Sequence, residues 1–96
     1  MPVTFEWDDR KSKTNLKKHR ISFDEAKTVF RDALAKIFHD PDHSIDEDRE
    51  LIVGHSARKR LLIVSFIERP VDVIRIISAR IASKNERKAY EEDQNR

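Results

Sequence analysis

Two arginines, Arg75 and Arg80, bracket the run Ile76-Ile77-Ser78-Ala79. A guanidinium beside so apolar a run is costly unless it meets an anion or reaches a sheet edge. Its planar fork of donors matches two oxygens of one phosphate, so each arginine could clamp a phosphodiester. On a regular strand the two-residue repeat puts Arg75 with Val73 and Ile77 on one face, and Arg80 with Ile76 and Ser78 on the other. A shared site therefore requires the strand to end or bulge before Arg80. The competing reading pairs each arginine with a carboxylate, for instance Glu68 or Glu86.

Histidine offers proton transfer. His19 falls near the end of a predicted helix, where the negative end of the helix dipole favours the imidazolium and suits it to general acid or base work. A capping or hydrogen-bonded histidine is the alternative. His55 alternates with Leu51 and Val53 and reads as a packed or edge histidine. His39, Asp40, Asp42 and His43 have the side chains of a zinc or manganese site, but Pro41 breaks the helix that would align the two histidines, so the cluster reads as a solvated hairpin loop. No metal and no cofactor is expected.

Other chemistries lack their residues. With no cysteine there is no thiol nucleophile, thiolate metal site or disulfide scaffold. Gly54 is the single glycine, which removes the glycine-rich phosphate loops of kinases and dinucleotide enzymes. No G-x-S-x-G elbow is present, and no carboxylate pair has surroundings that would separate two pKa values.

The elements that must position these groups follow from 96 residues, 40% of them charged and 38% apolar. That bounds the chain to one domain over 1–96, with a frayed tail at about 93–96. No membrane span is expected, and a reducing cytoplasm is allowed. Although the net charge is only +2, it is unevenly spread, with basic blocks at 10–20, 58–60 and 75–88 around an acidic block at 40–50. Converging basic blocks would make a polyanion surface, with the acidic block pointing elsewhere.

Residues 3–7 read as a short extended segment ended by Asp8, the cap of a helix running to about His19. At 100° per residue Arg10, Lys11, Lys13, Thr14, Lys17 and Lys18 share one arc of this helix, and Ser12, Leu16 and His19 lie opposite, toward protein. Ser22-x-x-Glu25 has the capping-box form and opens a second helix ending near Asp32, with Phe23, Ala26, Val29, Phe30 and Ala33 on its apolar stripe. Runs at 34–39, 50–56, 60–67 and 72–79 have strand character, and their short connections imply antiparallel neighbours. Ser83-x-x-Glu86 repeats the capping-box signal before a last helix whose face carries Glu86, Ala89 and Tyr90. The expected fold is α+β: two N-terminal helices, a four-stranded antiparallel sheet and a C-terminal helix.

Three segments, FEWDDRKSKTNLKKHRISFDEA, DPDHSIDEDRELIVGHS and RIISARIASKNERKAYEE, together resemble the BrnT group of toxins over about residues 5–92. The resemblance implies the toxin half of a type II toxin–antitoxin pair with a RelE-like fold. It implies an endoribonuclease that arrests translation without metal, through attack of the RNA 2′-hydroxyl on the adjacent phosphate. It also implies a BrnA-type antitoxin with a ribbon-helix-helix domain, through which a hetero-oligomer binds operator DNA. Carried over by position, N-L-x-K-H places Leu16, Lys18 and His19, I-S-A-R-x-A places Arg80, and E-R-x-x-Y places Glu86, Arg87 and Tyr90. Where the pattern has glycine after the histidine, this chain has Arg20. The resemblance then casts Arg80, Arg75 and His19 as catalytic and Lys18, Lys17, Lys11, Arg60, Tyr90 and Arg87 as RNA-binding. A binding module that does not cleave, and the pure interaction half of a DNA-binding complex, account for the charge equally well.

Overall fold

A computed structural model describes residues 2–40 and 48–94. The chain runs β1 (Thr4–Glu6), α1 (Asp9–His19), α2 (Phe23–Lys27) with a 3-10 turn (Thr28–Arg31), β2 (Lys36–His39), β3 (Arg49–His55), β4 (Leu61–Arg69), β5 (Val73–Ile81) and α3 (Lys84–Gln94). The strands form one mixed sheet of order β1-β5-β4-β3-β2. β2 to β5 are antiparallel neighbours, as their short connections require, while β1 adds a fifth strand parallel to β5, with Glu6 beside Arg75. The four-stranded expectation is corrected here. The extended segment at 3–7 carries no local signal of its partner, and β1 reaches β5 only because α1 to β4 intervene.

The sheet packs on both faces. On the first, Ile21, Phe23, Ala26 and Val29 meet Ile52, Leu62, Val64, Phe66, Ile76 and Ala79. Phe30 bridges Phe5 and Phe66 at ring separations of 5.3 and 5.0 Å, extending that core to β1. On the second face Val53, Leu61, Ile63, Ala82 and Tyr90 form a smaller cluster under α3. Gly54 sits where a Cβ would come within 2.8 Å of the Ala35 Cβ and 3.0 Å of Asp32 Oδ2, so β3 can lie against that corner only with glycine there.

Local signals hold at the caps. Asp8 accepts from the Arg10 and Lys11 amides at 2.8 and 3.3 Å, and those bonds hold its carboxyl below the usual range. Arg20 closes α1 in the left-handed region (φ 62°), its N–H donating to Leu16 O, so an arginine does the work a glycine does elsewhere. The buried stripe of α1 centres on Asn15, flanked by half-buried Ser12 and His19, and Leu16 is exposed. This corrects the expectation for Leu16. The helix faces a strand edge with unpaired backbone, which a carboxamide satisfies and a leucine does not. Ala33 likewise lies exposed beyond the second helix.

Among the described residues no helix is long and apolar enough to cross a membrane. No three acidic or histidine side chains gather there as metal ligands. Asp42 and His43 of the proposed loop cluster lie outside the described residues.

Candidate RNA-binding cleft

Asn15 shapes the open edge of the sheet. Its Oδ1 accepts from Ala79 N at 3.0 Å and its Nδ2 donates to Ala79 O at 2.8 Å, so the side chain pairs with β5 as a neighbouring strand would. A second Nδ2 bond, 2.9 Å to Ile21 O, ties in the α1–α2 corner. β1 covers the β5 edge as far as Arg75 and Asn15 covers Ala79.

Between these two covers β5 bulges. Ser65 pairs with Ser78 but the adjacent Phe66 pairs with Ile76, leaving Ile77 as the extra residue. The bulge shifts strand parity: Ile76 and Ala79 both face the first core, and Arg75, Ser78 and Arg80 all face the other way. The sequence required a break of this kind for the two arginines to share a face.

On that face β3, β4 and β5 place Leu51, Ser65 and Ser78 side by side. Arg49 and Arg80 stand diagonally on opposite sides of Ser65, since they pair with Ile67 and Ile63 on the same strand. With Asp40, Ile63 and Leu51 they line a mostly polar hollow of about 260 Å³. A second hollow of about 300 Å³ lies at the β5 edge, lined by Arg10, Lys11, Thr14, Asn15, Lys18, His19, Ile77 and Ser78. Ser78 lines both hollows.

Arg80 is held by Glu86 through two parallel bonds, Nη1 to Oε1 at 2.7 Å and Nη2 to Oε2 at 2.8 Å. Glu86 Oε1 also accepts from Ser83 N at 2.8 Å, and Glu86 N donates to Ser83 Oγ at 3.2 Å, a complete capping box for α3. The bond from Arg80 is the main reason the Glu86 carboxyl is pulled down to about 2. Arg80 remains 44% exposed, so an incoming anion can meet it.

The other expected residues are distributed differently. Arg75 shares the sheet face with Arg80 but donates from Nη1 to Glu6 Oε2 at 2.8 Å, and it lines neither hollow. Its partner is Glu6, supplied by β1, rather than Glu68. Arg60 is engaged with Glu25, through Nε to Oε2 at 2.9 Å and a close second contact from Nη2 to Oε1. Tyr90 is buried, and its hydroxyl donates to Leu34 O at 3.2 Å, which seats α3 on the β2 corner; burial pushes its pKa up. Lys17 is exposed on α1 outside both linings, and Arg87 lies 4.0 Å from Glu91 along α3. His55, 44% exposed, lies 3.8 Å from Asp32 Oδ2 and edge-on to Tyr90. The acidic block was expected to point elsewhere, yet Asp40 lines the Arg80 hollow, because the β2–β3 hairpin bonds Asp40 N to Arg49 O. Arg49, Ser65, Ser78 and Asn15 were not singled out from the sequence. Only the strand register shows that the first three share one face, the β3–β4 pairing for Arg49 and Ser65 and the bulge for Ser78.

Fold and site together define a small α+β protein with a cationic cleft across a strand edge. The class narrows with comparison: residues 7–86 match the family described as ribonuclease toxin, BrnT, of type II toxin–antitoxin systems, and the chain belongs to that family. Among solved structures it is similar to the Brucella abortus ribonuclease toxin BrnT, solved at 1.1 Å, with 25% identity and a TM-score of 0.67 over 86% of this chain and 100% of that one. No curated protein matches it.

Proposed function

We propose that this BrnT-family toxin is a metal-independent endoribonuclease whose active site is the pair of hollows that share Ser78, in a RelE-like arrangement. The observation that carries the reading is the bulge at Ile77, which turns Arg80 onto the face reached from the basic edge of α1.

The RNA 2′-hydroxyl attacks its own adjacent phosphorus and the bond to the 5′-oxygen breaks. The products are a 2′,3′-cyclic phosphate and a 5′-hydroxyl. One proton leaves the attacking oxygen and one reaches the departing oxygen, and His19 at the mouth of the α1 hollow moves one of them. Arg80 turns from Glu86 to the phosphate, where its fork meets the charge growing on the non-bridging oxygens. Lys11 and Lys18 hold the flanking backbone, with Arg10 beside them. Lys17 and Arg87 extend the cationic surface outside the cleft. Arg75 supports the face through Glu6. Arg60 and Tyr90 are assigned to holding the fold.

A type II family implies an antitoxin. The partner proposed is a BrnA-type ribbon-helix-helix protein whose acidic side chains cover the cleft, in a hetero-oligomer that reaches operator DNA through the antitoxin. The toxin acts in the cytoplasm, where its RNA is.

The test is incubation of partner-free protein with labelled RNA in excess EDTA, alongside Arg80→Ala checked for folding by its thermal transition. Cleavage by the native protein that leaves cyclic phosphate ends, lost in the variant, is the expected result. RNA left intact by both, in a preparation that binds RNA, would sink the enzyme reading in favour of a binding module.

A further inference from the structure

An edge strand is ordinarily blunted by charge, proline or a covering element, because its outer backbone groups lack a sheet partner. β2 ends the sheet on the side away from β1, and among the described residues no strand lies beyond it. Its two central residues are large and apolar, on opposite faces. Ile37 pairs with Ile52 of the first core and is 52% exposed, and Phe38 pairs with Leu51 on the second face and is 51% exposed. Leu34, just before the strand, is exposed as well. Three of the seven exposed large apolar side chains among the described residues thus fall within five positions at one edge, a concentration that marks an interaction surface.

Beside Phe38 lies an apolar groove of about 440 Å³, with Phe38, Leu51, Val53 and Ile63 of the sheet on one side and Ala89 and Tyr90 of α3 on the other. Each charged residue of its lining is already paired, Lys36 with Asp93 and Glu86 with Arg80. A lining of apolar side chains and internally neutralised charges has no cation to offer a phosphate chain. Leu51 and Ile63 line both this groove and the Arg80 hollow, so an occupant of the groove lies beside that hollow.

A polypeptide strand is the occupant that meets both features. Its backbone pairs with the outer edge of β2, and its alternating side chains reach Phe38 and the groove on one face and Ile37 on the other. RNA has no such backbone. A second copy of the chain would bring only the four residues of β2, against seven and nine in the strands that pair within the sheet. The family is one component of a toxin–antitoxin system, which supplies a protein partner.

We infer that the β2 edge and its groove are the docking site of the antitoxin, an extended segment of which adds a strand to β2 and seats a large apolar side chain against Phe38. The inference rests on the toxin–antitoxin reading and adds the surface that anchors the partner, from which its acidic side chains reach the neighbouring Arg80 hollow.

The experiment titrates the toxin with its paired antitoxin by calorimetry, for the native protein, Phe38→Ser and Phe38→Leu, and follows hydrogen exchange of the β2 amides in the toxin alone and in the complex. The expected result is binding weakened roughly tenfold or more in Phe38→Ser and partly recovered in Phe38→Leu, with β2 amides protected only in the complex. Melting temperature and RNA cleavage of the partner-free variants should match those of the native protein. Should Phe38→Ser melt lower, exchange in the native complex decides alone. Unchanged binding, with β2 amides exchanging equally in both states, would overturn the docking site and leave the toxin–antitoxin reading standing. A native toxin that forms no complex with the antitoxin would overturn that reading and the docking site with it. A partner-free toxin that dimerises, and that Phe38→Ser makes monomeric, would assign the edge to a second copy instead. Weaker RNA binding by Phe38→Ser with native antitoxin affinity would make the groove part of the RNA site and overturn the inference too.

Discussion

Two glutamates arrive in the same sequence dress, Ser22-x-x-Glu25 and Ser83-x-x-Glu86, and each ends against an arginine. Glu86 completes its capping box and holds Arg80 at the surface, both side chains more than a third exposed. Glu25 abandons its box: Ser22 Oγ accepts from Glu25 N at 3.0 Å, but the carboxylate turns inward to Ser56 and Arg60, where it is 5% exposed. The neighbours available explain the divergence. The β3–β4 turn brings Ser56 and Arg60 under α2, so Glu25 finds better donors than the cap amide. Among the described residues Glu86 bonds its own cap and the β5 arginine. A buried pair of this kind holds elements together, and an exposed one can be exchanged for a ligand.

The sharpest break of this comparison is Glu25→Ala. Among the described residues it leaves the Arg60 side chain with a carbonyl contact to Arg20 alone, and unfolding in urea should show a loss of about 3 kcal/mol. Melting should fall by roughly 4–8 °C per kcal/mol. A loss within about 0.5 kcal/mol would place Glu25 among ordinary surface charges.

Next comes Arg80→Ala, which should reverse the pattern. Cleavage should fall by about 10²–10³ fold. Stability should change by less than about 1 kcal/mol, because the pair is open to solvent. A large stability loss would make Arg80 a second Arg60.

A third variant concerns the frame around the buried pair. Arg60 Nη2 lies 3.4 Å from Arg20 O, at the left-handed corner that ends α1. Arg20→Gly removes a Cβ from that conformation and should stabilise the protein by about 1 kcal/mol, read as a higher urea midpoint with unchanged slope. A destabilised variant would show that the Arg20 side chain, not its backbone, matters to the corner.

The smallest effect concerns pH. Glu86 has its carboxyl near 2 when folded and near the ordinary value when unfolded, so the unfolded chain takes up its proton first as pH falls. The stabilisation is therefore complete above about pH 4.5 and lost toward pH 2. Urea unfolding of native protein and Glu86→Gln should differ by a few tenths of a kcal/mol at pH 7, and the two should converge on acidification. A difference that persists at pH 2 would remove the ion pair as its source.

Much of the framework is legible in the sequence. The Asp8 cap, the α3 box and the four antiparallel strands appear within about two residues of where the short-range rules put them, while the second helix, expected to run to near Asp32, gives way after Lys27 to a 3-10 turn that ends at Arg31. Family membership is legible too, from three separated segments read together. The candidate site is legible only in part. Arg80, His19, Lys11 and Lys18 were named and do line the two hollows, whereas Arg60 and Tyr90 were named for their chemistry and are engaged with protein. Nothing local separates Arg60 from Arg80, since each is an arginine near strand residues with a glutamate within reach.

The sequence by itself determined what can be decided within one turn of helix or one strand repeat: caps, helix faces, strand identity and the supply of cationic and proton-carrying groups. Tertiary structure alone decided the parallel docking of β1, the pairing of Asn15 with β5, the bulge at Ile77 and the choice of acid for each arginine. The physical reason is range. A cap or an amphipathic stripe is settled by neighbours three or four residues away, but one extra residue in β5 turns every later side chain to the other face. Ser65 and Arg80 can share one hollow only after that turn has been made.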